Sequence, residues 1–227
     1  MAPAPKTAAP KASVPKITVP KSSVPKTTRR TAQAADTRLH IVATSRRLFL
    51  ANGYVRTTIE GIAAESGVAV QTVYNSVGNK AALLSAVLDS AAAGPNAPAR
   101  VLEFMRERTR EAGDLQSLLV VLADWFAEVH QRTGAVLGVI AQAAAVDADV
   151  AKLEKVRALQ RLTRYHEAAA AVRARGGLTS GMTDEDGAAA IWSLGHPQAY
   201  RTLVDDAGWT PEAYREWILK ALAAALA

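Results

Sequence analysis

Two amide side chains four residues apart, Gln71 and Asn75, stand in the short stretch GVAVQTVYNSV, residues 67–77. On a helix that spacing puts both on one face. Amides held there can make paired hydrogen bonds to the edge of an adenine. Thr72 between them can meet a thymine methyl or a phosphate, and Tyr74 suits a phosphate oxygen. The stretch is too short and too polar for an ordinary core helix. Its valines, Val70, Val73 and Val77, are expected to face inward and anchor it. Lys80 is expected at the first position of the next helix, where a cation opposes the macrodipole at a cost of a few tenths of a kcal/mol. A phosphate partner would account for it.

No other residues combine in a chemically competent pattern. The four histidines, His40, His130, His166 and His196, have no metal-ligand spacing with one another or with paired carboxylates. No glycine-rich loop follows a strand. No catalytic residue, metal site or cofactor is therefore expected. Cysteine is absent, which rules out disulfides and thiolate metal sites and fits a reducing, cytoplasmic setting. There is no run of 18 apolar residues, so no membrane span is expected, and the N-terminus lacks the apolar segment of a secretory signal.

The elements that must position this face are helical throughout. The expected fold is all-α: an N-terminal three-helix helix-turn-helix domain followed by a C-terminal helical domain for ligand binding and dimerisation. Residues 1–35 form a tail with Pro-Lys at every fifth position, from Pro5-Lys6 to Pro25-Lys26. Proline at that interval blocks helix and central strand, so disorder and polyproline II are expected. The tail also holds Arg29 and Arg30 and no acid. Its charge is +7 against +6 for the whole chain, which leaves residues 36–227 at −1. From about Arg38 the apolar period is helical, through Ile41, Val42, Ser45, Leu48 and Phe49 to a stop at Asn52-Gly53. Thr57 reads as the cap of the second helix with Glu60 completing a capping box. Gly67 supplies the turn, and Asn79 caps a fourth helix. The head domain spans 36–93, a breaker cluster at 93–98 forms the hinge, and the body spans 97–227. Body helices are expected near 99–112, 114–132, 134–145, 147–175, 183–195, 197–207 and 211–226.

Residues 38–84, RLHIVATSRRLFLANGYVRTTIEGIAAESGVAVQTVYNSVGNKAALL, resemble the DNA-binding domain of the tetracycline-repressor (TetR) family. Leu48-Phe49, Gly53-Tyr54, Thr57-Thr58-Ile59, Ile62-Ala63, Gly67-Val68, Thr72, Tyr74, Lys80 and Leu83 match its pattern in order and spacing. The run IWSLGHPQAYRTLVDDAGWTPEAYREWILKALAAAL is similar to the C-terminal part of one branch of that family. Two departures stand out: Ala69 replaces the usual serine before the reading helix, and Ser76-Val77 replace the usual His-Phe. The resemblance implies a DNA-facing set of Thr57, Thr58, Gln71, Thr72, Tyr74, Asn75 and Lys80. Arg29 and Arg30 join it as an arm able to enter an adjacent minor groove.

The resemblance also implies an effector pocket in the body, with Met105, Trp125, Val129, His130, Ile140, Gln142, Leu162 and His166 as candidate lining. A broad apolar face on the last helix, with little chain after it, suggests a second copy as cover. Ile191, Trp192, Tyr214, Trp217, Ile218 and Leu222 are the candidate interface. The expected protein is a homodimeric transcription regulator, a repressor released from a palindromic double-stranded operator by a small-molecule effector. The alternative is a nucleoid-type architectural protein that coats DNA through its basic tail.

Overall fold

The computed structural model describes residues 26–94, 101–179 and 181–227. Among them are ten α-helices and no strand, in keeping with the all-α expectation. They are α1 Lys26–Arg56, α2 Ile59–Glu65, α3 Val70–Val77, α4 Lys80–Ala93, α5 Val101–Glu111, α6 Leu115–Ala144, α7 Ala148–Arg173, α8 Asp184–Leu194, α9 Pro197–Tyr200 and α10 Pro211–Leu226, with a π-helical turn at Arg201–Asp206 after α9. None of the described helices is long and apolar enough to cross a membrane.

Two boundaries differ from expectation. Helix α1 begins at Lys26, so residues 26–35 of the expected tail are helical. Pro25 is the last proline of the repeat, and the alanine-rich segment behind it is a good helix former once no ring interrupts the backbone. Residues 1–25 of the tail, and 95–98 of the expected hinge, lie outside the described residues. The stop at Asn52-Gly53 appears as a break inside α1, where Gly53 takes φ 74° and ψ 172°. The second difference is α6, which runs unbroken through Gly134 and Gly138 where two helices were expected. Glycine costs about 1 kcal/mol in a helix interior. Burial of Val136, Val139, Ile140 and Ala143 immediately beyond outweighs it.

Those same four residues explain the architecture. They pack with Ile41, Phe49, Ile62, Val73, Leu83 and Leu84 in one apolar cluster, so the core of the head closes on α6 rather than within 36–93. The N-terminal half of α6, from Leu118 to Phe126, belongs to a second cluster with α7, α8 and α10. At about 1.5 Å per residue, this helix is a strut of roughly 45 Å that joins both cores.

The second core corrects the expected dimer face. Ile191, Tyr214, Ile218 and Leu222 are all fully buried within the single chain. Helix α10 lies along α6 and α8, so the broad apolar face is covered intramolecularly by Leu118, Leu119, Leu122 and Phe126. Periodicity identifies a buried face but not its cover. Only Trp192 and Trp217 of the six remain partly exposed.

Candidate functional site

The head is assembled around a tight turn. Gly67 occupies the left-handed region, φ +64°, which a glycine adopts at no steric cost. Its N–H donates to Ala64 O at 3.1 Å, and Val68 N–H donates to Ala63 O at 3.0 Å. Helix α3 leaves this turn without a side-chain cap, because Ala69 offers no acceptor. Its one fully buried residue is Val73, at 0% exposure, with Val77 half-buried against the same core, whereas Val70 is 36% exposed. Three inward valines were expected. Val73 and Val77 pack inward as expected, Val70 does not, and Val68 in the turn joins the core as well. Arg38 of α1 donates to Ser76 O at the other end of α3.

The amide pair is where the sequence places it. Gln71 and Asn75 are exposed, and Gln71 Nε2 donates to Asn75 Oδ1 at 2.9 Å. That bond leaves Gln71 Oε1 to accept and Asn75 Nδ2 to donate, the complementary pair an adenine edge requires. Tyr74 is 45% exposed and Thr72 half-buried.

The threonines exchange roles. Thr58, not Thr57, is the cap of α2, and its hydroxyl accepts from Gly61 N–H at 3.0 Å. Glycine at that third position removes the expected capping box. Thr57 is 3% exposed and donates to Gly53 O at 2.8 Å and Leu48 O at 3.2 Å. It closes the break after α1 and presents no hydroxyl to a phosphate. Thr58 stays on the surface.

Lys80 is the first residue of α4, behind the Asn79 cap. Its Nζ sits 4.1 Å over the Tyr54 ring, and burial lowers its pKa. Tyr54 Oη donates to Asp147 at 2.6 Å, and that bond is the main reason the Asp147 carboxyl titrates below its usual range. Asp147 is itself the cap of α7, accepting from Asp149 N–H and Val150 N–H. The lysine expected to stand free for a phosphate thus belongs to a clasp between head and body. Nothing in the periodicity could pair Tyr54 with a residue 93 positions away. Arg29 and Arg30 are exposed on the first turns of α1, on a helical arm rather than an extended one.

A cavity of about 940 Å³ opens among α4, α5, α6 and α7. Met105, Trp125, Val129 and His130 line it as expected. The other four candidates do not. Ile140 is buried in the head cluster, Gln142 faces solvent, Leu162 packs on the second core, and His166 falls on a different face of α7. His130 Nε2 donates to Gly195 O at 2.9 Å. A carbonyl can only accept, so Nδ1 is the unprotonated nitrogen, and it is buried without a partner. Burial pushes the His130 pKa down to about 4.

The sequence reading missed the cavity's cations. Arg157, Arg161 and Arg164 all line it from α7, at i, i+4 and i+7. That spacing was itself legible as one helical face, but a charged stripe ordinarily faces water. Arg157 donates to both Asp89 oxygens at 2.8 and 2.9 Å, and Arg106 of α5 pairs with Glu167 at 2.7 Å. Helix α4 serves both regions: Leu83, Leu84 and Val87 sit in the head core, while Asp89, Ala92 and Ala93 line the cavity.

Residues 41–87 match the family model for bacterial regulatory proteins of the tetR family. No curated protein matches the chain. Among solved structures, NalD of Pseudomonas aeruginosa, the secondary repressor of the MexAB-OprM multidrug efflux pump, superposes with a TM-score of 0.67 at 22% identity, covering 86% of this chain and 97% of its own. SmeT in its triclosan complex superposes with a TM-score of 0.64 at 22% identity, covering 84% of this chain and 91% of its own. At such identities the superpositions establish the fold alone. Residues 41–87 thus match the head of the tetR family of bacterial regulatory proteins, on a chain whose overall fold is that of those solved regulators.

Proposed function

We propose that the protein is a homodimeric transcription regulator that reads a palindromic operator through α3 and leaves it when a small molecule fills the body cavity. One observation carries the coupling. Helix α4 is rigidly part of the head core at one end and part of the cavity wall at the other. A ligand that moves its cavity end must move the reading head, because a packed core shifts as a unit.

Gln71 and Asn75 are the base-reading pair; Thr58, Thr72 and Tyr74 are the phosphate and methyl contacts. Arg29 and Arg30 add charge from the start of α1. Two such heads must reach successive major grooves about 34 Å apart, which requires a dimer. Trp192 and Trp217 are its candidate contacts, as the large apolar side chains of α8 and α10 left partly uncovered.

Selection of bound duplexes from a random pool tests the reading. A two-fold symmetric motif that loses its preference at particular positions in Gln71→Ala and Asn75→Ala supports it. Binding without any enriched motif would instead favour an architectural role for the basic tail.

A further inference from the structure

We infer that the cavity takes an anionic amphiphile, a carboxylate on an apolar chain or ring system, with the carboxylate at Arg161 and the apolar part along Trp125, Val129 and Leu137. This rests on the proposal that the cavity is the effector site. Three arginines of α7 face the space, and their charges are answered unequally. Arg157 is neutralised by Asp89, and Arg106 across the cavity by Glu167. Arg161 makes no hydrogen bond or ion pair with a described residue, and its Nε is shut off from solvent. Glu154 acts on it only through space, and burial lowers the guanidinium's pKa. Arg164, at the rim, is also unpaired.

A half-buried guanidinium without an acceptor is costly to the empty protein, and a planar carboxylate satisfies its fork with two parallel bonds. The apolar residues alongside favour a ligand whose remainder is hydrocarbon. A volume of about 940 Å³ lies at the upper end of small-molecule sites, with room for a long chain or several rings.

The test uses the full chain and a graded series: straight-chain carboxylates from hexanoate to stearate, phenyl-substituted carboxylates, the matching alcohols, and alkyl phosphates of equal length. Binding is measured by calorimetry. At least one carboxylate should bind about tenfold or more tighter than its alcohol, the scale of one charged hydrogen-bonded contact. Arg161→Gln should erase that preference while alcohol binding persists, and Arg161→Lys should keep part of it. The empty Arg161→Gln protein should melt no lower than the parent, which separates lost recognition from lost folding. The inference is overturned if carboxylates and alcohols bind alike, if the preference survives Arg161→Gln, if alkyl phosphates bind tighter, or if no member of the series binds. DNA affinity measured in parallel separates the two readings. A carboxylate held through Arg161 that leaves DNA binding unchanged supports this inference and removes the effector role. DNA release by the alcohols alone would keep the effector role and overturn the inference.

Discussion

In the head, hydrogen-bonding side chains point outward from a minimal anchor; in the body they point inward from a large core. Helix α3 is held by the fully buried Val73 and the half-buried Val77, and its outer face carries amides, hydroxyls and a phenol. The body buries Phe126, Ile191, Tyr214, Ile218 and Leu222 together, yet leaves His130 Nδ1, Tyr214 Oη and Arg161 Nε without partners. An outward polar group costs little until it meets DNA. An inward one costs stability until something occupies the space beside it. The difference in direction separates the surface proposed to read DNA from the cavity proposed to receive a ligand.

The largest expected effect lies in the body core. Phe126 is fully buried, stacks near His130 at 6.0 Å and fills the space that a side chain at Gly195 would need. Phe126→Ala should cost about 3–5 kcal/mol, read as a lower urea midpoint, whereas Val73→Ala in the head should cost less. Equal losses would break the contrast between a short helix on a light anchor and the aromatic packing of the body core.

The next effect is pH-dependent and belongs to the inward polar groups. His130 has a folded pKa of about 4, below the ordinary value near 6.5. The unfolded chain therefore binds the proton first, and stability should fall as pH drops from about 6.5 to 4, by roughly 3 kcal/mol. Denaturant midpoints measured across that range should show the loss in the parent and lack it in His130→Phe. A parallel decline in both would place the acid sensitivity elsewhere.

On the outward side, Gln71→Ala or Asn75→Ala should remove about 1–3 kcal/mol of discrimination at particular base positions and leave the melting temperature nearly unchanged, because both are exposed. A large stability loss would mean that the pair braces α3 rather than reads bases. The smallest effect is a repair. Ala69→Ser supplies the missing cap of α3 and should stabilise the head by about 1 kcal/mol, seen as slower amide exchange in residues 70–77. No change in exchange there would show that the head core alone holds the helix.

Much of the head was legible because its signals are local. Gly67 marks the turn, Asn79 the cap of α4, and the i, i+4 spacing of Gln71 and Asn75 their common face. Each depends on residues within one or two turns of chain. The errors arose where a local rule met a distant partner. Thr57 fits a cap by type, but its hydroxyl is taken by the carbonyls of Leu48 and Gly53. Lys80 was read as a phosphate contact alone, and the structure also sets its Nζ over the Tyr54 ring while leaving the residue half-exposed. In the body, Met105, Trp125 and Val129, named for apolar character, and His130, named as a polar candidate, all line the cavity. Ile140 and Leu162 do not, since burial alone cannot say which core a residue joins.

The sequence by itself determined the helices and the polarity of their faces, because both follow from periods of three and four residues. It also determined the polar face of α3 proposed to read bases, whose Gln71 and Asn75 pair with each other one turn apart. Tertiary structure decided what covers each apolar face: α6 runs through Gly134 to close the head, and the Tyr214, Ile218 and Leu222 face of α10 is covered within the chain by α6 and α8. It decided, too, which charges are answered. Arg157 finds Asp89 on α4 and Arg106 finds Glu167 on α7, whereas Arg161, on the same α7 stripe as Arg157, finds none among the described residues. Electrostatic pairing depends on distances of a few ångströms between helices remote in sequence, and those distances exist only once the helices have packed.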